Sequence, residues 1–271
     1  MIDENLLEPC TVRYDGKEIH GIRCRKYPLM RHRTPSDKIE KILEEGLKPS
    51  KETKSVSLSS NPRHTYGGEV QLLIDTEDLD LRPICYAPIK EISDVVDEVT
   101  ERLAKTEKEY ISPNRVYDEI GVYPTVYLRE CEWSVKETIP PDKIKEVEYW
   151  IGYNPSRVEY AVSCERTYPH IAVVETEYDW DKFVEKLMRV KRAAEKHGKQ
   201  FSVKSCFRFI EIPCSMTEDM SDRYGQCIIE LDNENLRRIE EGKKPLTYKG
   251  DWKFVRNIKW SEGYTDCLCR C

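Results

Sequence analysis

The sequence predicts an α+β protein with mostly antiparallel sheets and few helices. Short segments in which apolar and polar residues alternate, the pattern of a half-buried strand, occur in groups between a small number of segments with helical spacing. No regular alternation of strand and helix, of the kind that builds a parallel sheet, runs through the chain. Hydrophobic residues make up 39% of the 271 residues, which is enough apolar material for a packed core.

The first predicted elements are short strands followed by one well-marked helix. Alternation over residues 10–33 predicts the strands. Thr34 is a suitable helix N-cap, Pro35 suits the first helical position, and Asp37 completes a capping box. Gly46 can end the helix in a left-handed conformation. The apolar face of this helix is predicted to comprise Ile39, Ile42, Leu43 and Leu47.

Five further strands and one helix are predicted before residue 154. The helix covers residues 91–109, where apolar side chains recur at helical spacing. Pro140 and Pro141 end the strand before them, because proline cannot donate a sheet hydrogen bond. The predicted strands are 55–60, 69–75, 122–128, 132–139 and 145–153.

A turn-rich segment at residues 154–156 predicts a boundary between a first domain, 1–153, and a second, smaller α+β domain, 154–271. The order Tyr-Gly, apolar strand, Asp, Leu and Pro-x-x-Tyr occurs twice, beginning at Tyr66 and at Tyr224. This echo is compatible with a chance match and with a second domain that is a degenerate copy of the first. Elements predicted in the second domain are strands near 158–163, 170–175, 200–212, 226–231 and 252–260, and helices over 180–197 and 233–241.

The charge balance and the absence of long apolar runs limit the class of protein. The chain carries 44 Lys and Arg against 50 Asp and Glu, a net charge of −6, which is not the profile of a strongly basic nucleic-acid-binding protein. Its apolar runs, such as residues 171–174, are far shorter than the ~18 residues of a membrane helix. The acidic first residues lack the basic and apolar regions of a signal peptide. We therefore expect no membrane association and a cytoplasmic location.

The chain contains 11 cysteines, most of which we expect to be free, buried thiols in a reducing compartment. Cys267, Cys269 and Cys271 alternate near the C-terminus, but a zinc or iron–sulfur site usually needs four ligands, often with Cys-x-x-Cys spacing. That spacing does not occur in the sequence. The prediction is therefore no metal site and a reactive or frayed tail.

Three polar elements in the first half stand out as a set. The strand before the first predicted helix carries Arg-His-Arg at 31–33. Ser57 and Ser59 are two residues apart in a later strand and so share one face. Glu130 and Glu132 have the same spacing at the predicted start of another strand.

The order of these elements resembles that of the ADP-ribosyltransferase fold family, over about residues 27–150. Members have a first strand with His or Arg, a helix ending in a phrase like Glu-Gly-Leu-x-Pro, a strand with Ser-x-Ser, and a Glu at the start of a late strand. The matching phrases are YPLMRHRT (27–34), EEGLKP (44–49), SVSLSS (55–60) and ECEW (130–133). The resemblance implies a split, mostly antiparallel sheet and NAD as the substrate. It also implies transfer of ADP-ribose to an unidentified protein or nucleic-acid acceptor, or hydrolysis of NAD.

The resemblance assigns roles to individual residues. Glu132 matches the second Glu of the family element and would stabilise the positive charge that develops when the bond between nicotinamide and ribose breaks. Glu130 would orient or deprotonate the acceptor. His32 would bind the adenosine-side ribose, and Arg31 or Arg33 would pair with the pyrophosphate.

Three more side chains complete the predicted site. Ser57 and Ser59 would brace Glu132 and the nicotinamide ribose, and Tyr66 would stack on nicotinamide. The structural alternatives are ordinary polar positions at a strand edge for the two serines and a turn aromatic for Tyr66, which precedes two glycines.

One departure from the family pattern leaves two alternative functions open. Arg33 stands where the family usually has Gly after the first-strand His, so a bulky cation replaces backbone close to the cofactor. The tRNA 2′-phosphotransferases share the fold and read their substrate with Arg and His, which makes an RNA 2′-phosphotransferase-like enzyme one alternative. The late Glu-Cys-Glu-Trp phrase favours the first interpretation over it. A catalytically inactive module that binds a nucleotide or a protein is the other alternative.

The second half carries a looser resemblance. Residues 206–248 look like a stretch of bacterial abortive-infection proteins of phage defence, although the Glu-Cys-Glu-Trp phrase lies upstream of this stretch instead of near the C-terminus. The resemblance indicates a defence or toxin context.

Overall fold

The computed structural model describes residues 7–60, 68–107, 110–151, 171–173, 180–205, 209–213 and 226–246. Helices and mixed sheets give an α+β fold, as the sequence predicts. The chain forms two units, each built from separate segments: 1–32, 41–64 and 73–144 make the first, and 33–40, 65–72 and 145–271 the second. The boundary predicted after residue 153 falls in 152–170, outside the described residues.

One sheet of the first unit is built on an N-terminal hairpin. Strands β1 (Leu7–Tyr14) and β2 (Lys17–Cys24) pair antiparallel across their full length. Asp15 and Gly16 connect them with φ angles of 47° and 78°, and two successive left-handed residues match the twist of a tight hairpin. Strands β7 (Cys85–Ala87) and β8 (Val122–Pro124) extend the sheet in the order β1-β2-β7-β8.

Two helices of the first unit pack against this sheet. Helix α2 (Ile89–Thr106) buries a stripe that includes Ile92, Val95, Val99 and Leu103. Helix α3 (Pro113–Ile120) begins at the N-cap Ser112, whose side chain accepts a hydrogen bond from the Arg115 amide. The sequence analysis did not predict α3, although Ser-Pro at its start and Gly121 at its end are standard helix signals.

The strands that carry the predicted site form a second sheet region, whose residues belong to the first unit except for Arg33 and Thr34 at the end of β3. These strands are β3 (Leu29–Thr34), β4 (Val56–Ser59), β6 (Arg82–Pro83) and β9 (Glu132–Val135), in the order β3-β4-β9-β6. All three pairings between them are antiparallel. Helix α1 (Ile39–Glu45) follows β3, and Gly46 ends it with a φ of 87°, as predicted.

The second unit contains its own strands and helices. Strands β5 (Val70–Asp75), β10 (Ile144–Ile151) and β12 (Gln200–Ser205) lie in the order β12-β10-β5. Residues 73–75 of β5 and Ile144 of β10 are counted with the first unit. A separate sheet has the order β11-β13-β14, from Ile171–Val173, Phe209–Pro213 and Gln226–Glu230. The helices are α4 (Trp180–Lys196) and α5 (Asn233–Glu240). The buried stripe of α4 includes Leu187, Val190, Ala193 and Ala194.

The structure corrects several local predictions. The sheets are mixed, because β7–β8, β10–β12 and β11–β13 pair parallel across long connections. The strand predicted over 122–128 ends at Pro124, and a 3-10 helix (Thr125–Glu130) follows. Thr34 closes β3 and is not an N-cap, since a 3-10 turn (Ser36–Lys38) comes between Pro35 and α1.

The expectation of free thiols is wrong for the four cysteines whose side chains the structure describes. Two disulfides join Cys10 to Cys85 and Cys24 to Cys131, with Cα–Cα distances of 6.1 and 5.3 Å. Both distances lie in the ordinary range for this bond. The partners are 75 and 107 residues apart in the chain, so local sequence spacing does not reveal them.

Other predictions fall on residues that the structure does not describe. They include the strands at 158–163 and 252–260 and the cysteines Cys267, Cys269 and Cys271. Among the described residues, no helix combines the length and the apolar character needed to cross a bilayer.

Candidate active site

Three of the predicted site residues form one row across adjacent strands of the first unit. Arg31 of β3 is paired with Ser59 of β4, and Ser59 is paired with Glu132 of β9. Residues directly opposite in neighbouring strands project from the same face of a sheet. Strands lie ~4.8 Å apart, so the backbones of Arg31 and Glu132 are about 10 Å apart with the serine between them. A guanidinium, a hydroxyl and a carboxylate therefore share one face.

Ser57 lies in the next row on the same face. It is paired with Ser134 of β9, which is paired with Arg82 of the edge strand β6. Ser59 is completely buried, whereas Ser57 and Glu132 are partly exposed. A buried hydroxyl beside a partly exposed carboxylate is suited to holding that carboxylate in place.

His32 does not belong to this row. It follows Arg31 in β3, and successive side chains of a strand leave on opposite faces. Its Nδ1 lies 2.9 Å from the carbonyl oxygen of Ser57. Because a carbonyl oxygen can only accept, Nδ1 carries the proton in this contact. The histidine is thus tied to the strand that bears the two serines.

Arg33 belongs to the second unit and is almost fully buried there, with 4% of its surface exposed. Its guanidinium carbon lies 4.6 Å from the centre of the Trp150 ring, a cation–π distance. Its Nη1 is 3.5 Å from the carbonyl oxygen of Gly68. The Arg33 cation is therefore packed against a tryptophan of its own unit.

Glu130 does not share a strand with Glu132, which corrects the prediction that both lie at a strand start. Glu130 ends the 3-10 helix, and Cys131 follows in a left-handed conformation with φ 47° and ψ 51°. The alternation rule fails across such a residue, so the spacing of two no longer predicts a shared face for the two positions. Tyr66, the predicted nicotinamide-stacking residue, lies outside the described residues.

Cys131 is fixed on both sides immediately before Glu132. Its carbonyl oxygen accepts hydrogen bonds from the Ser60 amide at 3.1 Å and from the Ser60 hydroxyl at 3.2 Å. Its sulfur is bonded to Cys24 at the end of β2. A non-glycine residue in the left-handed region costs on the order of 1 kcal/mol and persists only where its surroundings impose it.

Tyr86 is a residue near Glu132 for which the sequence analysis predicted no role in the site. It is completely buried in β7, and its hydroxyl accepts a hydrogen bond of 2.7 Å from the Glu132 amide. The two residues are 46 positions apart, so no local pattern connects them. The one sequence signal is the Pro-x-x-Tyr phrase that ends at Tyr86 and recurs in the second half.

A buried tyrosine and an aspartate lie behind Tyr86. The Tyr86 and Tyr123 ring centres are 6.4 Å apart, and the Tyr123 hydroxyl donates to Asp118 at 2.9 Å. Burial raises the pKa of Asp118 to about 6, against the lowering effects of the Tyr123 hydrogen bond and the Arg115 charge. Burial, followed by the charges of Asp118 and Glu132, raises the pKa of Tyr123, which therefore stays a protonated donor.

No protein-family model, curated protein or solved structure matches this chain.

Proposed function

We propose that this protein is an ADP-ribosyltransferase-like enzyme that cleaves the bond between nicotinamide and ribose in NAD. The observation that carries the proposal is the registered row Arg31–Ser59–Glu132 across β3, β4 and β9. Three of the four sequence phrases that resemble the family carry these strands, which are separate in the chain but neighbours in one sheet. This is the arrangement that the resemblance requires if the phrases are to act on one substrate.

The chemistry assigns a role to each member of the row. The bond between C1′ of the ribose and the nicotinamide nitrogen breaks, and nicotinamide leaves with the electron pair as a neutral molecule. The remaining sugar is positively charged at C1′, and the Glu132 carboxylate stabilises that charge. Arg31, at the other end of the row, pairs with the pyrophosphate, since a guanidinium binds phosphate oxygens through two parallel hydrogen bonds. Ser59 lies between Arg31 and Glu132 in the row, and its proposed role is to brace the Glu132 carboxylate.

The second half of the reaction needs a nucleophile. Either a side chain or nucleotide of a macromolecular acceptor, or a water molecule, attacks C1′ and loses its proton as the new bond forms. Glu130 is the proposed group that orients this nucleophile or receives the proton. The resemblance assigns the adenosine-side ribose to His32, but this side chain leaves β3 on the face opposite to Arg31, so the proposal gives it no contact with the substrate.

Release of nicotinamide from NAD tests the proposal. The full chain is incubated with NAD, and we expect release that falls by at least about 100-fold in Glu132→Gln, because the isosteric amide keeps the shape but removes the charge. Glu137→Gln is the matched control, since Glu137 is an exposed residue soon after β9. Its release should equal that of the wild type.

Two results would contradict this function and favour the alternatives. Release that requires 2′-phosphorylated RNA would indicate an RNA 2′-phosphotransferase-like enzyme. Binding of NAD without release under any condition, with or without a macromolecular acceptor, would indicate an inactive binding module.

A further inference from the structure

The amide of Glu132 points away from β4. The peptide between Cys131 and Glu132 directs its carbonyl towards β4, where Ser60 donates to it. In a trans peptide the N–H points the opposite way, towards the side on which β6 pairs with β9. Strand β6 pairs there with Trp133 and Ser134. The Tyr86 hydroxyl accepts the hydrogen bond of the Glu132 amide, with 2.7 Å between oxygen and nitrogen.

The backbone of Tyr86 is fixed by its neighbours. Tyr86 is paired with Ile22 of β2 and with Tyr123 of β8, and it is completely buried. The preceding residue, Cys85, is bonded to Cys10 of β1. Gly21 lies so close that a Cβ added there would meet the Tyr86 carbonyl oxygen. The hydroxyl that receives the Glu132 amide therefore projects from a fixed backbone.

We propose that Tyr86 is a positioning residue for Glu132: its hydroxyl sets where β9 begins and thereby where the carboxylate lies relative to Ser59 and Arg31. The inference rests on the proposed function. It assigns Tyr86 no contact with the substrate. Displacing a catalytic group by about 1 Å can cost 100-fold in rate, so a residue that fixes the backbone of the carboxylate has a measurable effect.

Tyr86→Phe isolates this effect, because it keeps the buried ring and removes only the hydroxyl that accepts the Glu132 amide. We expect kcat for nicotinamide release to fall about tenfold or more with an unchanged KM for NAD, since Arg31 and the serines remain in place. Tyr117→Phe is the matched control. Tyr117 lies in the same buried cluster and its ring packs on Tyr123, but no hydrogen bond joins it to β9 among the described contacts.

Hydrogen exchange of the Glu132 amide provides a readout that does not depend on activity. The amide should be protected in the wild type and in Tyr117→Phe, and it should exchange markedly faster in Tyr86→Phe at equal global stability. An amide in Tyr86→Phe that exchanges at the wild-type rate would overturn the inference. So would a kcat that falls equally in Tyr86→Phe and in Tyr117→Phe.

The two proposals fail in different ways. If Glu132→Gln releases nicotinamide as fast as the wild type, the proposed function fails, whatever Tyr86 does. If Glu132→Gln is inactive but Tyr86→Phe has wild-type kcat and wild-type exchange, the function stands and the positioning role is refuted.

Discussion

Cys131, the residue immediately before Glu132, is joined by a disulfide to Cys24 at the end of β2. The second disulfide makes a similar connection, because it joins the residue before Tyr86, Cys85, to Cys10 of β1. The N-terminal hairpin is thus covalently attached next to both partners of the hydrogen bond between Tyr86 and Glu132. The backbone next to Glu132, the candidate catalytic residue, is therefore held by the Cys24–Cys131 disulfide as well as by packing.

Replacing Cys24 and Cys131 by serine should destabilise the protein by about 2–4 kcal/mol. The disulfide closes a long loop, and without it the unfolded chain has more conformational entropy to lose on folding. Denaturant unfolding measures the loss. The Cys10→Ser, Cys85→Ser pair offers a matched comparison, since its bond spans 75 residues instead of 107.

Reductant provides the check on this prediction. Adding it to the wild type should lower the unfolding midpoint, and alkylation after unfolding should label four more thiols than without reductant. A midpoint that does not change, in a protein whose four cysteines react without reductant, would show that the pairs do not form.

The pH dependence of stability should reveal Asp118. Its side chain is largely buried, and its pKa is raised to about 6 from 3.8, mainly by desolvation. The groups that face it, Tyr123, Arg115, Ser55 and Lys136, all act in the opposite direction. A folded pKa above the unfolded value means that the fold binds the proton more tightly. Stability therefore falls as the pH rises from about 4 to about 6, and the loss is complete above that range.

Asp118→Asn removes this loss while keeping an oxygen that can accept from Tyr123. Relative to the wild type, we expect the variant to gain about 2–3 kcal/mol in free energy of unfolding between pH 4 and pH 7.5. Denaturant unfolding at both pH values measures the difference. Asp80→Asn, at an exposed position, is the control and should show no such change. A constant difference between Asp118→Asn and the wild type at all pH values would contradict the prediction.

The helices show how much of the fold local sequence can predict. The helix predicted over 180–197 is observed as Trp180–Lys196, and the one predicted over 91–109 as Ile89–Thr106. Both have a long apolar stripe, which a period of 3.6 residues reveals without any other information. Helix α3, which has 8 residues, was missed although Ser112-Pro113 and Gly121 mark its ends, whereas the similarly short α1 was predicted from signals of the same kind.

The candidate site likewise contains residues that local sequence indicates and residues that it does not. Arg31, Ser59 and Glu132 were chosen from phrases whose order resembles a known family, and the structure places them on neighbouring strands. Their roles stay predictions. Tyr86 and the cysteine partners could not be predicted, because contacts between residues 46 to 107 positions apart leave no local pattern. The left-handed conformation of Cys131 could not be predicted either. The phrase Glu-Cys-Glu fits a continuous strand as well as it fits the end of a helix followed by a new strand.

A buried carboxylate in the second unit predicts a large effect of a single truncation. Glu148 is 8% exposed and accepts hydrogen bonds from the Gln71 amide at 2.6 Å and from the Trp150 indole at 3.2 Å. Glu148→Ala leaves both buried donors without this acceptor and should cost about 2–4 kcal/mol in unfolding experiments. Glu146→Ala, which removes one contact with the Ser202 hydroxyl at a partly exposed site, should cost less. Equal losses of stability in the two variants would contradict the prediction that the two buried donors make Glu148 the more costly residue to remove.

Two glycines that end helices of the first unit allow backbone conformation and backbone crowding to be separated. Gly46 and Gly121 have φ angles of 87° and 77°, so alanine at either position is strained by about 1–2 kcal/mol. They differ in their surroundings. A Cβ at Gly46 would lie 2.5 Å from the Ile139 carbonyl oxygen, whereas a Cβ at Gly121 would meet nothing within 4 Å.

Gly46→Ala should therefore destabilise the protein by about 1–3 kcal/mol more than Gly121→Ala, because the chain that carries Ile139 must move as well. That movement would break the bridge in which Leu47 and Ile139 exchange hydrogen bonds of 2.8 and 2.9 Å. Denaturant unfolding of the two variants gives the comparison, and exchange of the Leu47 amide reports the bridge directly. If the two variants are equally destabilised and the bridge is intact, the chain at Ile139 can move without a loss of stability. The left-handed angle alone would then explain why glycine is needed at position 46.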